Sequence, residues 1–185
     1  MNFEKTLHNC SLHGCELPKE SVPFKAYLLS ILAKRGLPVP EGYIIDQNLA
    51  NDPRIIPFLR NKYPGKTWIL RGLDDDVDPN HIGKSTTLIL NDPEELPGIM
   101  DKVIRDKCKY ERQKYLHLLK VYEDDLGKKI LDENNEVRNV SDLALLQILH
   151  NTEQSGAILK CGDRMIKVVS GQGLHIPSTT KATEL

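Results

Sequence analysis

The stretch KAYLLSILAKRGLPVPEGYIID, Lys25 to Asp46, decides the fold because it contains the signals of a helix, a turn and a strand in direct succession. Apolar residues recur in it at spacings of three and four, which predicts a helix that begins after Ser21 as N-cap and ends at a left-handed Gly36. The prolines that follow stiffen a turn into a strand at Tyr43–Ile45. We expect the buried face of the helix to consist of its recurring apolar residues, Phe24, Tyr27, Leu28, Ile31 and Leu32.

The composition is that of an ordinary folded chain of 185 residues, with 39% hydrophobic and 28% charged residues and a formal net charge of -1. This length suffices for one compact domain or two small subdomains. The near balance of charge argues against a nucleic acid partner. The N-terminus MNFEKTLHNC lacks the apolar core of a signal peptide, and the apolar run Leu143–Leu149 is too short to cross a bilayer. We therefore expect no membrane association and a cytoplasmic location.

The rest of the chain mixes helix and strand signals, which indicates the α+β class. Residues 1–22 are polar and predict a loosely packed leader, and residues 178–185 predict a frayed end. Leu143–His150 is compatible with a strand or a short buried helix. The other predicted elements are a short helix within 51–63, strands at Thr67–Arg71 and Thr87–Leu90, a helix from Glu94 to about Leu126, a strand at Lys129–Leu131 and a hairpin of Gly156–Lys160 with Met165–Val169.

These motifs, in this order, resemble the N-terminal nucleotide-binding domain of the phosphoenolpyruvate synthase and pyruvate phosphate dikinase family. The opening stretch resembles the family's GGKGANLAEM-type segment followed by GLPVPPGF-type residues and a strand. WILRGLDDD is similar to its AVRSS-type strand, and IGKSTTLILNDPEEL to its TFLNV-type strand and following helix. LALLQILHNTEQSGAILK resembles its LVQEMV and SGVAFT-type strand pair, and IKVVSGQGL its glycine-rich segment. The order agrees over residues 24 to 176.

The resemblance implies an ATP-grasp-like fold in which two α+β lobes close on a nucleotide. It places a leader at 1–22, the first lobe at 23–122, part of a second lobe at 123–176 and a flexible tail at 177–185. In the family this domain binds Mg·ATP and transfers phosphate to a histidine on a separate mobile domain. The chain is thus expected to be a Mg·ATP-binding module that needs further domains or a partner polypeptide carrying the phosphohistidine.

The resemblance also implies three nucleotide-site residues. Lys25 matches the lysine of the GGKG-type motif, where an ammonium can neutralise phosphate oxygens during transfer. Arg71 matches the arginine of the AVRSS-type motif, whose planar fork suits bidentate phosphate contact. Gln147 matches the glutamine of the family's VQ pair. Without the resemblance, Lys25 would be read as a surface lysine and Arg71 as a solvated strand end.

The sequence also departs from the family pattern. Val22-Pro23-Phe24 replaces the glycines before the lysine, and Gly72-Leu73 replaces the two serines after the arginine. The sequence ends soon after Gly173, before the acidic and glutamine positions that hold Mg²⁺ in the family. These departures favour an alternative, in which the chain is a catalytically degenerate relative that acts as a binding or regulatory protein. A third reading is a fragment of an active enzyme.

Two segments contain metal-ligand residue types. Asp74, Asp75 and Asp76 in the acidic loop offer the oxygen ligands that Mg²⁺ takes, although aspartates in such a loop are often simply solvated. The octapeptide HNCSLHGC brings together the zinc-ligand types His8, Cys10, His13 and Cys15. Structural zinc sites draw ligand pairs from separate segments, and one octapeptide is cramped for a tetrahedral ion, so we expect no zinc here.

Overall fold

The computed structural model describes residues 3–14, 17, 22–73, 86–122, 142–150, 154–161, 165–172 and 183–184. The chain divides into two compact units, residues 1–149 and residues 150–185. Residues 144–148 belong to the first unit because they form a strand that pairs with strands earlier in the chain. The acidic residues Asp74, Asp75 and Asp76, the N-cap Ser21 and the predicted strand at 129–131 all lie outside the described residues.

The first unit contains a four-stranded antiparallel sheet. Its strands are β1 (Gly42–Ile45), β2 (Trp68–Gly72), β3 (Thr87–Leu90) and β4 (Ala144–Ile148), and their order in the sheet is β1-β4-β2-β3. The predicted strands within residues 43–45, 67–71 and 87–90 are confirmed, and residues 144–148 take the strand alternative. The molecule is therefore a mixed α+β structure with an antiparallel sheet.

Five helices accompany the sheet in the described part of the first unit. They are α1 (Phe3–Cys10), α2 (Phe24–Lys34), α3 (Gln47–Ala50), α4 (Ile55–Lys62) and α5 (Leu96–Tyr122), with a 3-10 turn at Pro93–Glu95 before α5. Asp46 caps α3 by accepting a hydrogen bond from Leu49 N at 2.7 Å, and Asp92 caps the 3-10 turn by accepting one from Glu94 N at 2.9 Å. None of the helices in the described residues is long and apolar enough to cross a membrane.

One face of the sheet, here called the α5 face, supports the larger core. Strand alternation points Tyr43, Trp68, Leu70 and Leu146 to this face, where they are buried against helices α1, α3, α4 and α5. Leu7 of α1 belongs to this core and is 2% exposed. Residues 3–10 are therefore a packed helix, whereas the sequence predicted a polar leader. This segment packs on the body because Phe3 and Leu7 lie at helical spacing on one face of α1 and contact the core.

The opposite face, here called the α2 face, carries a smaller core. Ile44 of β1 and Leu145 of β4 pack there with Ala26 of α2 and Leu12. Toward β3 this face is open, because Ile89 is 50% exposed. Helix α2 covers one part of the face and leaves the other accessible.

The predicted helix at α2 is confirmed, but its predicted buried face is wrong. Phe24, Leu28 and Leu32, here called the exposed stripe, are 45%, 41% and 38% exposed. The residues that face the sheet are Ala26 and Ser30, each 0% exposed. Small side chains let the helix approach the strands closely, and the Ser30 hydroxyl is satisfied within the helix by donating to Tyr27 O at 2.8 Å.

The second unit contains a three-stranded antiparallel sheet of β5 (Gln154–Cys161), β6 (Met165–Gln172) and β7 (Thr183–Glu184). β5 and β6 pair from Gln154↔Gln172 to Cys161↔Met165, which confirms the predicted hairpin. Val169 and Ser170 pair with β7, so residues 183–184 form a strand within the segment that was expected to fray.

Candidate functional site

The sheet brings two of the predicted nucleotide-site residues together on the α2 face. Arg71 of β2 is opposite Leu145 of β4, and Gln147 of β4 is opposite Ile69 of β2. Side chains two residues apart along a strand share a face, so Arg71 and Gln147 are diagonal neighbours on adjacent strands. Diagonal neighbours in antiparallel strands lie roughly 7–8 Å apart, within reach of long side chains.

Arg71 is half-buried, and one buried donor of its guanidinium is unsatisfied. Its Nε is buried and has no hydrogen-bond partner among the described residues. Burial lowers the pKa of Arg71, because a desolvated guanidinium is less stable in its charged form. A buried donor without an acceptor destabilises a fold by about 1–3 kcal/mol. An anion that accepted from Nε would relieve both effects.

Gln147 is 5% exposed, and Gly42 of β1 makes room for its side chain. A Cβ at position 42 would lie 2.8 Å from Gln147 Cγ and 3.0 Å from the Leu146 carbonyl oxygen. The first contact is closer than real Cβ contacts and the second is tight, so a larger residue at this point of β1 would force Gln147 or the β4 backbone to shift. The Gln147 side chain therefore lies against β1 at Gly42, whereas Arg71 belongs to β2, on the other side of β4.

Lys25 lies on the helix that packs on this face, but its side chain is exposed. Its neighbour Ala26 is buried against Ile44 and Leu145. Pro23, rather than a glycine, stands at the N-cap of α2 with φ -56° and ψ 142°. Arg71 and Gln147 are thus brought together on the sheet, whereas Lys25 belongs to the helix above it.

A second polar cluster, here called the Lys62 cluster, lies at the junction of β1 and α4. Lys62 Nζ donates to Tyr43 Oη at 3.2 Å. The hydroxyl oxygens of Tyr43 and Tyr63 are 2.9 Å apart, and Tyr63 Oη donates to Glu41 Oε2 at 3.1 Å. The Lys62 ammonium also lies 5.9, 5.4 and 5.2 Å from the ring centroids of Tyr43, Phe58 and Tyr63. Within about 6 Å, such rings attract a cation.

The Lys62 cluster borders a pocket of about 400 Å³. Its walls are formed by Glu4, Leu7 and His8 of α1, by Ser11, His13 and Gly14 of the following turn, by Glu41 and Tyr43, and by Phe58 and Lys62 of α4. In the part of the chain that the structure describes, no three His, Cys, Asp or Glu side chains form a group that could hold a metal ion.

Sequence reasoning missed this second cluster. Phe58 and Lys62 are four residues apart in α4, a spacing that predicts only that they share a helix face. Tyr43 belongs to β1 and Glu41 directly precedes that strand, so the pairing of β1 with β4 sets their position. Tertiary packing, which no local pattern encodes, brings the two sets together.

Comparison with known proteins gives no relative: no protein-family model matches the chain, and neither do the curated proteins and the solved structures that were searched.

Proposed function

We propose that this chain binds Mg·ATP on the α2 face, as the nucleotide-binding module of a cytoplasmic phosphotransferase of the phosphoenolpyruvate synthase type with an ATP-grasp-like fold. The observation that carries the proposal is the state of Arg71. A half-buried guanidinium with an orphaned Nε and a pKa lowered by burial is a costly arrangement for the chain alone. A phosphate oxygen supplies the acceptor and the negative charge that this group lacks.

Each proposed residue has a distinct role toward the nucleotide. The Arg71 fork donates to phosphate oxygens and holds the phosphate at the sheet. The Gln147 amide, buried on the same face of the sheet, offers a donor and an acceptor that orient the bound group without adding charge. Lys25 extends from α2 and neutralises the charge that develops on phosphate oxygens during transfer.

The module would act with other components. Phosphoryl transfer depends mainly on positioning and on electrostatic stabilisation of the transferred group. Arg71 and Lys25 supply the protein cations for that stabilisation, and Asp74, Asp75 and Asp76 are the candidate ligands for Mg²⁺. The acceptor would be a histidine, which becomes a phosphohistidine, on a partner polypeptide or on a further domain.

The alternative is that the chain keeps the fold and acts as a binding or regulatory protein. The exposed stripe Phe24, Leu28 and Leu32 favours it, because contiguous apolar side chains on a surface helix often mark protein interaction sites. Pro23 at the N-cap of α2 also favours it, since it stands where the family has a glycine before the lysine.

Calorimetric titration of the full chain with Mg·ATP separates the two readings. The informative variants are Arg71→Met, which keeps an unbranched side chain without the fork, and Lys25→Ala. The matched control is Arg60→Met, because Arg60 lies on α4 and pairs with Asp92 at 2.8 Å and Glu94 at 3.0 Å, on the opposite side of the sheet. Unfolding curves of each variant establish that it is folded.

We expect saturable binding by the unsubstituted chain and by Arg60→Met. Loss of a bidentate charged contact should weaken binding by about tenfold or more in Arg71→Met, with a smaller loss in Lys25→Ala. Absence of binding by the unsubstituted chain at millimolar Mg·ATP, or equal affinity in Arg71→Met, would overturn the proposal and leave the binding-protein alternative.

A further inference from the structure

The pocket beside the Lys62 cluster is separate from the proposed nucleotide site, because its wall residue Tyr43 points to the α5 face and Arg71 to the α2 face. Leu7, Tyr43 and Phe58 supply apolar walls, and charged groups lie around them. A volume of about 400 Å³, lined by charged and polar side chains together with a few apolar ones, is large enough for a small molecule.

The Lys62 ammonium is held in place and still has donors to offer. One N–H is used by Tyr43 Oη, and three aromatic rings surround the group. An ammonium has three N–H donors, so two are left for another acceptor. Among the described residues no carboxylate forms an ion pair with Lys62. The pocket therefore presents a fixed cation that an anionic ligand group can pair with.

The hydrogen bonds also fix Glu41 as an acceptor. Tyr63 donates to Glu41 Oε2, so the bond between the two hydroxyls must be donated by Tyr43. Burial, followed by the hydrogen bond with Tyr43, raises the pKa of Tyr63, which therefore stays protonated as a donor. This arrangement occupies one carboxylate oxygen of Glu41 and leaves Oε1 for a cationic donor.

Charges of opposite sign thus line one pocket. Lys62 contributes the cation from α4, while Glu4 from α1 and Glu41 from the start of β1 contribute carboxylates. A ligand with a single charge would satisfy one group and be repelled by the other. His13 Nε2 donates to Val39 O at 3.0 Å, which fixes that ring in the turn, and His8 lies beside it on α1.

We propose that this pocket binds a small zwitterion, an α-amino acid with an apolar side chain. Its carboxylate pairs with the Lys62 ammonium, and its ammonium pairs with Glu41. Its side chain packs against Leu7 and Phe58. This site needs neither Arg71 nor Mg·ATP and stands independently of the proposed nucleotide function.

Three molecules of nearly equal shape test the charge requirement by calorimetry on the full chain: phenylalanine, 3-phenylpropionate, which lacks the amino group, and phenethylamine, which lacks the carboxylate. Leucine tests a smaller side chain. The variants are Lys62→Met and Glu41→Gln, which keeps an acceptor for Tyr63. Lys66→Met is the control, because Lys66 is exposed nearby but does not line the pocket.

We expect phenylalanine or leucine to bind, and each singly charged analogue to bind about tenfold more weakly or not at all, since each loses one charge pair. Lys62→Met and Glu41→Gln should each lose a similar factor, and Lys66→Met none. Equal affinity for phenylalanine and phenylpropionate would show a plain anion site and contradict the proposal. Binding unaffected by Lys62→Met, or no binding of either amino acid at about 10 mM, would also contradict it.

Discussion

Arg71 is a residue at which the chain departs from what stability alone favours. A strand position on a half-covered sheet face is normally filled by an apolar or β-branched side chain. Here a guanidinium occupies it, with Nε buried and without a partner among the described residues. Groups whose pKa is shifted by burial cluster at functional sites, where a ligand can supply the missing interaction.

Arg71→Met should therefore raise the free energy of unfolding of the nucleotide-free chain by about 1 kcal/mol, because the orphaned donor is replaced by an apolar chain of similar length. Urea unfolding followed by fluorescence measures it, since Trp68 is the single tryptophan and is 1% exposed. A clear loss of stability would indicate that Arg71 has a structural role.

Gly42→Ala should lower the free energy of unfolding by about 1–3 kcal/mol, because the new Cβ would overlap Gln147 Cγ and the Leu146 carbonyl oxygen. The same urea unfolding experiment measures it. The double variant with Gln147→Ala is the control, since it removes one of the overlapping groups and should recover part of the loss. Full stability in Gly42→Ala would refute this account of the glycine.

Asp52 should make stability depend on acid pH. The side-chain hydrogen bond from Arg54, at 2.6 Å and 2.9 Å, lowers the pKa of Asp52 from 3.8 to about 2. A lowered pKa in the folded state means that the contribution is present above pH 3.8 and is lost as the pH falls toward about 2. Asp52→Asn should thus be less stable than the unsubstituted chain at neutral pH, and urea unfolding should show that this difference shrinks below pH 3.8. A difference independent of pH would contradict this role.

Helix α2 shows how one glycine shapes an element. Gly36 has φ 74°, its N–H donates to Ala33 O at 3.0 Å, and Leu37 N–H donates to Leu32 O at 3.1 Å. This pair of bonds is the Schellman motif, which satisfies the last carbonyl groups of a helix and turns the chain toward β1.

Two glycine substitutions with open space around them should have opposite effects. Gly36→Ala should destabilise by about 1 kcal/mol, because an L residue is strained at positive φ. Gly98→Ala lies within α5 and should stabilise by about 0.5–1 kcal/mol through higher helix propensity. Thermal unfolding of the two variants measures both changes in stability. Changes of the same sign would contradict this explanation.

Helix α2 also shows what the sequence could not predict. The apolar spacing predicted the helix correctly, yet the exposed stripe of Phe24, Leu28 and Leu32 was expected to be buried. Periodicity identifies a helix but does not decide which stripe faces the sheet when small residues such as Ala26 and Ser30 allow a closer approach. The sheet surface under α2 determines which side of the helix is buried.

At the scale of the whole molecule, the strands were easier to predict than their arrangement. β1, β2 and β3 could be located from local apolar runs and turn residues. The insertion of β4 between β1 and β2 could not, because Gln147 and its partner Gly42 are far apart in sequence and no local pattern specifies their register. The ATP-grasp-like arrangement of two lobes stays a proposal.

The residues of the candidate sites, too, could be predicted from the sequence only in part. The resemblance selected Arg71 and Gln147, and strand pairing then placed them on one face of the sheet. The Lys62 cluster was invisible in the sequence because its hydrogen bonds join Glu41, Tyr43 and Tyr63 across a strand and a helix. Side chains that meet only through packing need a structure to be recognised.

The most direct test of the central claim is the free energy of unfolding of the unsubstituted chain and of Arg71→Met, each with and without Mg·ATP. Without nucleotide, the variant should be the more stable of the two. At a nucleotide concentration about a hundredfold above Kd, the unsubstituted chain should gain about 2.7 kcal/mol and the variant much less, so that the order reverses. If Mg·ATP shifts neither unfolding curve, or shifts both equally, Arg71 does not hold a nucleotide on the α2 face.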